Sequence, residues 1–190
     1  MSIFAIGDLH LPGGDKKPMD VFGAHWEHHF ERICADWQNR VQEEDIVLIP
    51  GDISWAMQLS DALCDLREIA KMPGRILLLR GNHDFWWSSV SQLRSCLPAK
   101  MHAVQNDAYD AGECVFCGTR GWTIPLTANA TAQDEKLYRR EALRLEMSLK
   151  DAKRIAGSRP IFAMMHYPPL LPETMRQGTE FTRLLSEYGV

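Results

Sequence analysis

An α/β fold built on parallel strands is the class this sequence predicts, and three observations predict it. Ile3 to Ile6, Ile46 to Ile49, Ile76 to Leu79 and Ile161 to Met165 are short, β-branched and Leu-rich apolar runs, the signature of strands buried on both faces. Longer stretches with apolar residues at steps of three and four separate them, so strands alternate with helices. Each run also ends in a polar residue of a metal-binding type: Asp8 and His10, Asp52, Asn82 to Asp84, and His166. Ligands of open α/β sheets bind at the carboxyl ends of the strands, so these groups are expected at one edge. At 190 residues and 45% hydrophobic content, residues 1–190 have the size of a single domain.

Taken in order, the first run is followed by a loop through Pro12, Gly13, Gly14 and Asp15 to Pro18. A helix then carries Trp26, Phe30, Ile33, Trp37 and Val41 on one face. After Pro50-Gly51-Asp52 a second helix is expected from about Ser60 to Met72, broken by Pro73-Gly74. Ser88 or Ser89 can cap a short helix that ends before Pro98, and Met101 to Cys117 reads as short strand-like pieces. Thr131 with Asp134 forms a capping-box pattern ahead of a helix carrying Tyr138, Ala142, Leu145, Leu149, Ala152 and Ala156. Gly157 ends that helix, and a last one is expected from about Thr179 to Tyr188.

The strand-end residues suit a pair of metal ions. In an extended Asp8-Leu9-His10 the first and third side chains share a face and can reach one cation. Asp52 can bridge two cations through its two oxygens, and Asn82 and His166 suit the second. Oxygen and imidazole donors without thiolate favour Mn, Fe or Zn. Two such ions polarise phosphoryl oxygens and turn a water into a hydroxide nucleophile. His83 is left to protonate the leaving oxygen, with Asp84 orienting it. An isolated Asp-x-His or Gly-Asp is more often a plain loop or turn; it is the series, each member at a strand end, that points to chemistry.

Other signals are weaker. Cys114 and Cys117 have a zinc-like spacing, but no second pair accompanies them, and a strand is expected. His25, His28 and His29 read as a solvated helix face, and Lys136 to Arg154, with Glu135–Arg139 and Glu146–Lys150 spacings, as an exposed charged one. Trp86 and Trp87 either wall a pocket or pack in the core. Arg120, in a Gly-flanked loop, is a candidate phosphate contact, and Thr127, Asn129 and Thr131 line a polar loop.

The series Gly-Asp-x-His, Gly-Asp, Gly-Asn-His-Asp and a later His resembles the calcineurin-like metallophosphoesterases. The stretches Gly51 to Met57, Asn82 to Trp87, Gly118 to Trp122 and His166 to Pro169 look like an uncharacterised bacterial branch of that family. The resemblance implies a four-layered α/β/β/α sandwich. It assigns Asp8, His10 and Asp52 to one metal, Asp52, Asn82 and His166 to the other, and His83 as general acid. The family's closing Gly-His-x-His motif does not occur in these residues, so the sandwich is expected to be incomplete at its C-terminus. Weakened metal affinity and catalysis are expected with it.

The function implied is hydrolysis of phosphodiesters or small phosphomonoesters; the alternative is a weakly active remnant acting as a binding domain. Protein phosphatases of the family continue the second motif as Asp-Arg-Gly, whereas Asp52 is followed by Ile53-Ser54-Trp55. A net charge of -4 argues against a nucleic-acid or membrane partner. Apolar runs too short for a membrane span or a signal peptide, and five scattered cysteines, lead to the expectation of a reduced, cytoplasmic enzyme.

Overall fold

A computed structural model describes residues 1–14, 19–125 and 130–190. They divide into two compact units, Met1–Ala103 and Val104–Val190. Thr127 and Asn129 of the expected polar loop lie outside the described residues, as does part of the loop before Met19.

The first unit holds four parallel strands, β1 (Ile3–Ala5), β2 (Ile46–Ile49), β3 (Arg75–Leu78) and β4 (Met101–Ala103), in that spatial order. Their registers pair Ile3 with Ile46, Ile46 with Arg75 and Ile76 with Met101. Three helices accompany them: α1 (His29–Arg40), α2 (Leu59–Ile69) and α3 (Val90–Cys96). Val47, Ile49, Ile76 and Leu78 form one core cluster with Trp37, Leu66, Ile69 and Leu93 from the three helices. Trp37 also donates from its indole nitrogen to the Pro73 carbonyl at 2.9 Å, tying α1 to the turn that opens β3. Ser89 caps α3 by accepting from the Gln92 amide. Trp26 is not part of α1 as the periodicity suggested; it closes a separate 3-10 turn, Ala24–Trp26, and His28 with φ of 50° breaks the helical path between them.

The second unit contains β5 (Tyr109–Asp110), β6 (Val115–Thr119) and β7 (Ile161–Met165), with β5 antiparallel and β7 parallel to β6. The run Ile161 to Met165 therefore joins a different sheet from the other three apolar runs. Convergence of all four runs on one sheet edge does not hold, because β7 finds its partner in β6, which grows from the last of the expected strand-like pieces. Two helices complete the unit, α4 (Ala132–Ala156) and α5 (Glu180–Glu187). Leu145, Leu149 and Ala152 of α4 pack with Val115 and Cys117 of β6 and Phe181 of α5. Thr131 and Asp134 form the expected capping box. Burial pushes the Cys117 thiol of β6 up to about 12, so it packs in the strand as a thiol, and Cys114 is buried just before the strand. Among the described residues no helix is long and apolar enough to cross a membrane.

Candidate metal centre

β1 and β2 end as regular strands, yet their ladder continues beyond them. The amides of Ile6, Asp8, His10 and Leu11 donate to the carbonyls of Leu48, Gly51, Asp52 and Ile53 at 2.9–3.1 Å. Asp8, His10 and Asp52 all lie in the left-handed region, with φ of 57°, 47° and 52°. A non-glycine residue held there costs about 1–3 kcal/mol and persists where its surroundings fix it, commonly at functional sites. These bends, rather than an extended alternation, bring the Asp8 and His10 side chains together while Leu9 is fully buried. The Leu9 carbonyl in turn bonds His29 Nε2 at 2.9 Å. His29 thus supports the loop from behind instead of belonging to a solvated face.

Donor atoms of Asp8, His10 and Asp52 all lie within 4.8 Å of one another. His10 Nε2 is 3.7 Å from Asp8 Oδ1 and 4.0 Å from Asp52 Oδ2. Atoms that each sit about 2.0–2.2 Å from one transition-metal ion are roughly 3–4 Å apart, a spacing met by His10 with each carboxylate, while the set as a whole is bounded at 4.8 Å. Two carboxylates and one imidazole also match the hard-to-borderline donor set of Mn, Fe or Zn. Asp52 is buried with its Oδ1 accepting from the His83 amide at 2.8 Å, which leaves Oδ2 as the oxygen nearer His10. Gly81 makes this possible: a Cβ there would stand 2.1 Å from Asp52 Oδ1 and 2.2 Å from the Asp52 nitrogen.

Asp84 has a different place from the one expected of it. Its Oδ1 accepts from the amides of Ile53 and Ser54 and the Trp86 indole, and its Oδ2 from the amides of Asp52 and Gly81, at 2.7–3.2 Å. Both oxygens are engaged with the backbone that carries Asp52 and Asn82, so the carboxylate braces two loops instead of orienting the His83 ring. Complete burial pushes its pKa up, against the pull of the amide donors. Five N–H groups aimed at two oxygens nevertheless call for an acceptor-only group, and we take the carboxylate as ionised at neutral pH.

Aromatic rings surround the donors. Trp55 stacks on His10, with centroids 4.8 Å apart and planes 19° apart, and lies 4.7 Å from the His83 ring. Trp86 and Trp87 are buried at 2% and 3% exposure and so are core, whereas Phe85 between His83 and Trp86 is 54% exposed. The residues that sequence reasoning missed are thus Trp55, Phe85 and His29. The unusual Ile53-Ser54-Trp55 continuation after Asp52 was the available signal for the first.

Arg120 and His166 belong to the second unit. They follow the paired residues Thr119 and Met165 at the ends of β6 and β7, and the Tyr167 amide donates to the Arg120 carbonyl at 2.8 Å. The Arg120 guanidinium lies 4.6 Å from the Trp122 ring centroid and 3.5 Å from Oε1 of buried Glu141.

No curated protein matches this sequence. A crystal structure of a protein of unknown function from Aquifex aeolicus is similar at 14% identity and a TM-score of 0.45, covering 87% of this chain and 90% of that one. The sequence profile of the calcineurin-like phosphoesterases matches residues 1–190, the full span that carries the strand-end series and the Asp8–His10–Asp52 cluster, and the chain belongs to that family.

Proposed function

We propose that the protein hydrolyses small phosphomonoesters or phosphodiesters with metal ions held at Asp8, His10 and Asp52. The observation that carries this reading is the convergence of three metal-type donors on backbone bent into the left-handed region at each of them. Bound transition-metal ions there supply Lewis-acid polarisation of the phosphoryl group and activation of water. Asp52 keeps its orientation through the His83 amide, so the carboxylate that would hold an ion beside Asp8 and His10 is fixed before any ligand arrives. By the family resemblance alone, Asn82 and His166 are assigned to a second ion. The His83 ring gives a proton to the leaving oxygen, and its position beside Trp55 confines it to the neighbourhood of the donors. Arg120 is assigned to the phosphoryl oxygens, a role that suits a guanidinium already fixed by a ring face and a buried carboxylate.

The test is metal content by elemental analysis after growth with manganese and zinc, with hydrolysis of p-nitrophenyl phosphate and its bis-ester. Bound metal and turnover, both lost in Asp52→Asn, are expected. His166→Ala is expected to lower the number of ions bound per chain. A chain that takes up no metal from either supplement and turns over neither ester ends the proposal.

A further inference from the structure

The acid of a phosphoester hydrolysis marks where the leaving group must lie. Its proton travels to the leaving oxygen across a hydrogen bond of about 2.6–3.2 Å, so the first carbons of that group fall within roughly 5 Å of the donor. Resting on the assignment of His83 above, the surroundings of that ring therefore describe the alcohol half of the substrate. They are aromatic on two sides. Trp55 lies 4.7 Å away with its plane tilted by 52°, and Phe85 lies 6.2 Å away edge-on at 80°.

Trp55 is half-buried, and one face of it is taken by His10. Phe85 has no such cover: it is 54% exposed, while the two tryptophans that follow it are buried. The chain takes a tight turn here, with the Phe85 amide donating to the His83 carbonyl at 2.8 Å and the Trp87 amide to the Asp84 carbonyl at 3.2 Å. Asp84 and Trp86 are anchored inward by the indole bond at 3.1 Å, and Phe85 is thrown outward beside the acid. An exposed aromatic ring next to a proton donor loses hydration when a flat apolar group covers it, and gains an offset or edge-to-face contact as well.

We infer that Phe85, with the edge of Trp55, seats an aromatic leaving group, so that the esters accepted are those of aryl or similarly flat apolar alcohols in preference to small alkyl ones. Phe85 is then a specificity-determining residue, and no bond to the reacting atoms is asked of it.

The experiment compares phenylphosphonate with methylphosphonate, neither of which has an ester bond to cleave. Binding to the full chain is followed by calorimetry and tryptophan fluorescence with manganese in the buffer. Phenylphosphonate is expected to bind about tenfold more tightly, and Phe85→Ala to bring that ratio close to one while Phe85→Tyr keeps it. Equal affinities in the unmodified chain, a ratio untouched by Phe85→Ala, or binding of neither phosphonate overturns the inference. Hydrolysis of p-nitrophenyl phosphate and of its bis-ester, run in parallel, separates the two claims. Turnover without an aryl preference sinks this seat alone, and a Phe85-dependent preference without turnover sinks the hydrolytic reading and leaves the seat standing.

Discussion

Replacing Asp84 by Asn changes one atom and should cost substantial stability in the first unit. The side chain is fully buried, and its two oxygens receive five N–H groups, three on Oδ1 and two on Oδ2. An amide in its place keeps one acceptor oxygen and turns the other position into a donor. In the cheaper orientation the new NH2 faces the Asp52 and Gly81 amides, leaving two buried donors unsatisfied. At about 1–3 kcal/mol for each, the loss is about 2–6 kcal/mol, a large part of the roughly 5–15 kcal/mol that holds an ordinary domain. Urea unfolding measures it as a lower midpoint at unchanged slope. Metal affinity should fall in the same variant, because the Asp52 amide is one of the abandoned donors. A loss under about 1 kcal/mol, together with a steep fall in turnover, would refute this reasoning and return Asp84 to the role of partner to the His83 imidazole.

Three further outcomes rest on contacts in both units. Gly81→Ala places a methyl against Asp52 Oδ1 and its amide, and should cost about 1–3 kcal/mol by thermal unfolding and weaken metal binding measured by calorimetry. Manganese at about a hundred times its dissociation constant should stabilise the chain by roughly 2.7 kcal/mol. Asp52→Asn, which tolerates the left-handed φ and can keep the bond from the His83 amide, should fold without that gain. The Asp134 carboxyl is held below its ordinary 3.8 by the Thr131 hydroxyl first, then the Thr131 amide and the Trp122 indole. A depressed folded pKa contributes stability that is present above the unfolded value and lost as pH falls through the folded one. Thr131→Ala should therefore flatten the acid limb of the stability profile below about pH 4, followed by circular dichroism.

What was legible in the sequence is what local patterning controls. The apolar runs became β1, β2, β3 and β7 within a residue or so, and the Thr131 capping box is present because its bonds span only three residues. The glycine-aspartate pairs pointed to the donors for a similarly local reason, since a ligand at a strand end needs a turn directly beside it. The illegible part is nonlocal. Nothing in Asp8-Leu9-His10 announces left-handed backbone, which is imposed by the ladder to Gly51, Asp52 and Ile53 some forty residues away. Nor could spacing say which sheet Ile161 to Met165 would join, because its pairing with the β6 strand is a contact between distant parts of the chain.

The Asn82-to-Trp87 segment joins the two kinds of information. Its motif was read as chemistry residue by residue, with Asp84 as a helper of its neighbour His83. In the fold, Asp84 reaches instead across 30 to 32 residues to three amides of the Asp52 loop, and that reach is what leaves Phe85 outside and Trp86 inside. Asp52 answers through its own Oδ1 by accepting the His83 amide, so each loop is held by a carboxylate of the other. The reciprocity explains why Gly81 has to be bare, since the crossing passes within the reach of a single methyl. It also means that the Asp8–His10–Asp52 cluster and the His83 ring are positioned by one shared framework, and a change made to one is transmitted to the other through two hydrogen-bonded carboxylates.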